Sequence, residues 1–376
     1  MKKQVIIIGP AHPLRGGLAS FDERLARQFQ QEGYDAMIYT FSLQYPSFLF
    51  PGTTQYSTEP APADIKIKVC INSINPFNWL KVGFNLKKRK PDLIVVRYWL
   101  PLMGPCLGTI LRIAKRNQHS KIVCIADNVL PHEKRPGDNP FTKYFLKSVD
   151  AFVTMSDKVM ADLRKFTSKA AQKIVHPLYD NFGDQTDKSS ARNHLSLPLE
   201  KKIILFFGFI RKYKGLDLLL SAMADERLKQ LDVHLLVAGE FYEDRKTYDE
   251  QIASLNLGSR LILRTDFIAD SEVKYYLSAA DFVIQPYKNA TQSGVTPLAY
   301  HFEIPMIVTN VGGLPALVPD DKAGLVAEPN AVSIAQKITE YFDKGENYFI
   351  PQLLEEKKKL SWTKMTESIL ELAQSA

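Results

Sequence analysis

IILFFGFIRKYKGLDLLL, residues 203–220, passes from a continuously apolar stretch through a glycine into a basic loop and out into a helical pattern. A strand without a polar face belongs in a parallel sheet covered on both sides, and the helix that follows supplies one of the covers. The alternation continues downstream. VHLLVAG, LILRTDF, DFVIQPY and PMIVTN read as strands, with RKTYDEQIASL as a helix between the first two. Upstream, QVIIIG, DAMIYTF, DLIVVRYW, KIVCIAD and AFVTMS form an earlier series of the same kind, with the helical LASFDERLARQFQQEG after its first member. Between the two series lies DNFGDQTDKSSARNHLSLP, whose Asp, Ser and Asn content suits an inter-domain loop.

The chain has 376 residues, 45% of them apolar and 24% charged. That length exceeds one ordinary core and fits two domains of about 150–200 residues each. The expected division is an α/β domain over residues 1–180, a second over 181–355, and a closing helix over 356–376. The last of these, SWTKMTESILELAQ, has apolar residues near helical spacing and is placed to cross back to the first domain. Ligands of such sheets bind beyond the carboxyl ends of the strands, so a cleft between the two domains is the default site. No short repeat suggests a solenoid.

Composition narrows the setting. The apolar run in MKKQVIIIGP is too short for a secretory signal, which needs about 7–15 apolar residues. YWLPLMGPCLGTIL holds two prolines and falls short of the roughly 20 residues of a spanning helix. Cys70, Cys106 and Cys124 are far apart and form no CxxC, as expected of free thiols in a reducing cytoplasm. The net charge of +7 is uneven: residues 1–180 carry 26 Lys and Arg against 14 Asp and Glu, and the remainder 22 against 27. A basic half suggests an anionic partner for it. Its densest cluster, Lys81, Lys87, Lys88, Arg89 and Lys90, is interleaved with Trp79 and Phe84. This is either a solvated helix face or a patch that meets anionic lipid peripherally at the inner face of a membrane. No recognition motif accompanies the charge, which argues against nucleic acid.

Three stretches carry candidate chemistry. In GPAHPLRGG, a turn opening a helix could present backbone N–H groups of Gly16 and Gly17 to a phosphate, although glycines also serve as plain turn residues. In FFGFIRKYKG, Arg211 and Lys214 stand three and six residues beyond Gly208. Two cations where a strand end meets a helix start suit a diphosphate whose charge grows as a bond to it breaks. In PYKNATQSGVTPLAY, a polar loop reaches Gln292, Ser293, Gly294, Val295 and Thr296 before a helix, offering backbone N–H groups to the same anion or a serine N-cap.

With these motifs in view, the chain resembles the retaining glycosyltransferases of family four, also called glycosyl transferase group one. The likeness spans nearly the whole length and is most specific in FGFIRKYKG, AGE, SAADFVIQPY, TQSGVTPLAY and IPMIVTNVGGLPALV. RGGLASFDERLAR resembles the family's donor-facing loop and ADNVLPHE its catalytic-loop region. The resemblance implies a GT-B fold: two Rossmann-like domains facing a cleft, with the acceptor on the first and a nucleoside-diphosphate-sugar donor in the second. It implies hexose transfer to a glycan or lipid-linked acceptor with retention, and chemistry that needs neither a metal nor a cofactor. No DxD motif is found. Gly16 and Gly17 would then close over the donor.

The chain departs from the family pattern in three places. The E-x7-E pair, which contacts the sugar hydroxyls and the nucleotide ribose, falls on Ala290 and Leu298. The diphosphate arginine, Arg211, lies two positions later than usual, while Lys214 matches. The catalytic-loop histidine is replaced by Asp127, with His132 five residues on; either could take a hydroxyl proton, and His132 equally suits a loop cap. In a front-face mechanism the departing phosphate oxygen takes the acceptor proton, so the missing histidine is tolerable. Two other classes stay open. A non-catalytic nucleotide-sugar-binding protein would explain the lost carboxylates, and a nicotinamide-dependent oxidoreductase would need the G-x-G-x-x-G turn that Gly9-Pro10-Ala11-His12 lacks.

Overall fold

A computed structural model of the chain describes residues 2–46, 54–130, 136–290 and 293–375. It divides into two compact units, one of residues 1–176 with 361–376 and one of residues 177–360. The unit boundaries thus fall at 176/177 and 360/361, where the sequence reading put 180/181 and 355/356.

The first unit runs β1 (Gln4–Ile8), α1 (Gly17–Gln31), β2 (Asp35–Leu43), β3 (Lys66–Asn72), α2 (Pro76–Arg89) and β4 (Leu93–Tyr98). It continues α3 (Gly104–Lys115), β5 (Lys121–Ala126), α4 (Asp138–Leu146), β6 (Ala151–Thr154), α5 (Asp157–Arg164) and β7 (Ala171–Lys173). Its seven-stranded sheet has the order β3-β2-β1-β4-β5-β6-β7, and every pairing is parallel. The direction of winding reverses between β1 and β4. Val5, Ile6, Ile7 and Ile8 are almost wholly buried, as a central strand covered on both faces must be.

The second unit opens with α6 (Lys188–His194), β8 (Lys202–Phe207), α7 (Leu216–Met223), α8 (Glu226–Gln230), β9 (Val233–Ala238) and α9 (Lys246–Leu255). Then come β10 (Leu261–Arg264), α10 (Val273–Ala279), β11 (Phe282–Gln285), α11 (Val295–His301), β12 (Met306–Thr309) and α12 (Leu314–Leu317). It ends with β13 (Gly324–Ala327), α13 (Ala331–Lys344) and α14 (Glu346–Lys357). Its parallel sheet has the order β10-β9-β8-β11-β12-β13, with the reversal between β8 and β11.

The terminal helix α15 (Trp362–Ser375) packs with the first unit, against α1 and along β5, β6 and β7. Its Trp362 ring lies 4.8 Å from that of Phe21 on α1. Thr366 donates to Glu32, 2.6 Å away, at the far end of the same helix. Among the described residues no helix is long and apolar enough to cross a membrane, and the three cysteines form no disulfide.

Candidate functional site

The loop from Gly208 to Gly215 leaves the carboxyl end of β8 beside the reversal of the second sheet, the usual ligand position in a doubly wound fold. It is pinned from two sides. Ile210 N–H donates to Glu240 O at 2.8 Å and Ile210 O accepts from Tyr242 N–H at 3.0 Å, fixing it to the segment after β9. Lys288 N–H donates to Tyr213 O at 2.7 Å, fixing it to the segment after β11. Gly215, at φ 70°, closes the loop so tightly that a Cβ would lie 2.0 Å from Pro286 O. Only glycine suits that position.

This frame buries Lys214. Its side chain is 9% exposed, its ammonium lies 5.7 Å from the Tyr287 ring centroid, and it would stand 3.2 Å from a Cβ on Gly208. Among the described residues no carboxylate lies within ion-pair distance of Lys214 or of Arg211, whose guanidinium sits over the Tyr242 ring at 5.2 Å. By contrast, Lys188 meets Asp281 and Glu346, and Lys288 meets Asp217. Burial, then the Arg211 charge beside it, draws the Lys214 pKa from 10.5 down to about 7. A buried cation without a partner destabilises the fold, so the arrangement makes physical sense as a seat for an anion.

The segment after β11 contributes less freely than the sequence suggests. Ser293 is buried, and its hydroxyl accepts from Val295 N–H at 3.2 Å and pairs with Tyr287 OH at 3.1 Å. The Val295 amide, expected to face an anion, is therefore already bonded. Thr296 is fully buried and donates to Gln285 Oε1 at 3.1 Å, so its hydroxyl braces α11 against β11 and presents nothing to a ligand. Gly294 is exposed, with Tyr179 close by. Ala290 and Leu298 are both buried apolar residues, so no carboxylate replaces the missing pair at those positions. Gln292 lies outside the described residues.

The first unit has its own polar centre at the reversal of its sheet. Arg97, the last but one residue of β4 and 2% exposed, donates through Nε and Nη2 to both carboxylate oxygens of Asp127 at 2.6 and 2.7 Å. The guanidinium stacks 3.8 Å from the Phe21 ring centroid and reaches Asp22 Oδ1 at 3.3 Å. Asp22 is fully buried on α1; burial raises its pKa from 3.8 to about 8 in spite of Arg97. Burial therefore favours the protonated form of Asp22 even beside Arg97. Asp22 Oδ2 has no hydrogen-bond partner among the described residues and presses on Gly9, where a Cβ would lie 2.1 Å away. Sequence reasoning missed Arg97 and Asp22. The available signal was a lone arginine inside the apolar LIVVRY.

Gly16 and Gly17 open α1, with Gly16 at φ 101° as its N-cap residue. They belong to the first unit with Asp127, whereas Arg211, Lys214 and Ser293 to Thr296 belong to the second. His132 lies outside the described residues. Among those described, no group of three or more His, Cys, Asp or Glu side chains is placed to hold a metal ion.

Residues 187–351, which contain the Lys214 seat, match the family model for glycosyl transferases group 1. The match spans less than half of the chain. The group 1 segment and the first unit together are similar to sucrose-phosphate synthase from Thermosynechococcus elongatus, at a TM-score of 0.73 and 16% identity over all of both chains. They are equally similar to Anabaena HepE solved with UDP and glucose, at a TM-score of 0.74 and 15% identity, again over all of both chains. The fold is therefore GT-B, built from two Rossmann-like parallel-sheet units. By sequence, the chain is 26% identical over 253 residues to D-inositol 3-phosphate glycosyltransferase of Corynebacterium urealyticum, covering 63% of this chain and 59% of that one. The chain spans between 35% and 61% of the length of the curated relatives it matches.

Proposed function

We infer that the protein is a glycosyltransferase that moves a hexose-type sugar from a nucleoside-diphosphate sugar to a glycan or lipid-linked acceptor, with retention and without a metal or cofactor. The observation that carries this reading is the buried Lys214 beside Arg211 at the reversal of the second sheet, with no carboxylate within ion-pair distance among the described residues. As the bond between the anomeric carbon and the phosphate oxygen breaks, charge accumulates on the diphosphate. Two cations already desolvated or held in place stabilise that charge without reorganising, and more strongly in the transition state than in the ground state. They do the work a divalent ion does at other phosphate sites. HepE, with its UDP and glucose, supports a uridine donor.

Asp127 is assigned a holding role. Its carboxylate is engaged on both oxygens by Arg97 and keeps further lone pairs for a sugar or acceptor hydroxyl. The departing phosphate oxygen takes the acceptor proton as the new glycosidic bond forms on the same face. The basic first unit suits an acceptor that carries phosphate, as in surface polysaccharide assembly.

The test is a panel of nucleotide sugars incubated with the full chain, with released nucleoside diphosphate and product anomer read by NMR. Release from one donor, with the configuration kept, is expected. Nucleotide binding without release from any donor would favour a non-catalytic binding protein instead.

A further inference from the structure

Helix α2 is apolar on both of its faces, and among the described residues only one of them has a partner. Val82, Gly83 and Leu86 point inward and are buried. Gly83 lets the helix lie hard on α3, since a Cβ there would stand 2.8 Å from Ile113 Cβ. The outward face is therefore held in a fixed orientation. Trp79, counted by sequence with the basic cluster, is not on it: its indole N–H donates to Asn72 O at 2.7 Å and its ring packs against the core.

What the outward face does carry is Phe77, 83% exposed, Leu80, 42%, and Phe84, 53%, with Ile74, 55%, just before the helix. Residues 77, 80, 81, 84 and 88 recur at the helical period, so Lys81 and Lys88 rise among these side chains. Both lysines are exposed and make no ion pair among the described residues. Neither α2 nor the neighbouring α3 contains a single Asp or Glu. A solvated helix face has no need of two exposed phenylalanines one above the other, about 10 Å apart along the axis.

We propose that the outward face of α2 docks the protein on an anionic lipid bilayer, with Phe77, Leu80 and Phe84 entering the acyl boundary and Lys81 and Lys88 reaching the headgroup phosphates. Charge complementarity selects this occupant. The face is convex, with cations standing between the rings, which fits a planar surface of negative headgroups, where lysine stems extend along the apolar layer. The inference deepens the reading of a lipid-linked acceptor but stands on the exposed face alone, and its test needs no catalysis.

The experiment is co-sedimentation of the full chain with vesicles of phosphatidylglycerol and phosphatidylcholine, compared with phosphatidylcholine alone. Binding to the anionic vesicles that weakens with salt is expected. Phe77→Ser/Phe84→Ser should lower it about tenfold, and Lys81→Glu/Lys88→Glu at least about thirtyfold. Both variants should unfold at the wild-type temperature, because the substituted side chains are exposed. Size-exclusion chromatography runs alongside. Failure of the wild type to bind anionic vesicles overturns the proposal, as does binding that both variants retain. A wild-type dimer that Phe77→Ser/Phe84→Ser converts to a monomer, with no vesicle binding, also overturns it and assigns the face to a second copy. Loss of vesicle binding leaves nucleotide-sugar turnover in free solution as a separate question, so the two readings fail independently.

Discussion

Moving the protein from about pH 6 to about pH 8 should change how it binds a nucleotide sugar in a way that reports on Lys214 alone. In the free protein this lysine titrates at about 7, because burial and the Arg211 charge both oppose its protonation. A diphosphate placed against it supplies the missing counter-charge and returns its pKa toward the ordinary 10.5. Binding is then coupled to proton uptake. At about pH 8 roughly nine free molecules in ten hold a neutral Lys214, so about 0.9 proton is taken up per ligand bound, falling to about 0.1 at about pH 6. Over the same interval affinity declines, approaching about tenfold per pH unit above 7, or about 1.4 kcal/mol. The two phosphates of a nucleotide sugar do not titrate in this range, which leaves the signal to the protein. Calorimetry in two buffers of different ionisation enthalpy counts the protons directly. Lys214→Arg, permanently charged, should bind without uptake. Uptake near zero at about pH 8 in the wild type, or undiminished uptake in Lys214→Arg, would refute the assignment.

Other consequences are more local. Asp22, raised by burial from 3.8 to about 8, favours the folded state when protonated. Its contribution is full below about pH 4, is lost progressively as pH rises, and is gone above about pH 8. Urea unfolding should show that decline flattened in Asp22→Asn, and an unchanged slope would contradict it. Arg97→Met leaves the Asp127 carboxylate buried without its guanidinium and should cost about 3–5 kcal/mol in the same assay; a loss below about 1 kcal/mol would remove the clamp from the account. Gly215→Ala drives a methyl into Pro286 O at a positive φ, so nucleotide affinity should drop while circular dichroism keeps its helical signal. If Arg211 and Lys214 neutralise the leaving group unaided, excess EDTA leaves turnover unchanged; a sharp fall restored by magnesium would argue for a metal.

The sequence made the strand series legible because runs such as QVIII of β1, LIVV of β4 and IILFF of β8 are apolar on both faces. It concealed β3, where Lys66 and Lys68 alternate with Ile67 and Val69 on a partly exposed edge strand, and β7, only three residues long. Lys214 and Arg211 could be picked out because their spacing from Gly208 places them at a strand end. That Lys214 is buried, with no counter-ion among the described residues, however, depends on Tyr287 and Pro286, which come from about 70 residues later and meet the loop only through folding. The same holds for Asp22, Arg97 and Asp127, three titratable side chains distant in sequence that share one buried site. Asp127 was found because it stands where the resembled family has its catalytic-loop histidine, and its commitment to Arg97 was not legible. Thr296 looked available because a Ser-Gly-Val-Thr turn presents several polar groups, and tertiary contact with Gln285 decides which of them faces inward.

The most direct test compares kcat/KM for the wild type and Lys214→Met with the donor found in the panel. Methionine keeps the volume and removes the charge, so the loop should stay folded while the leaving diphosphate loses its buried cation. The account predicts a loss of about a hundred- to a thousandfold, carried mainly by kcat. Turnover by Lys214→Met at the wild-type rate would contradict it.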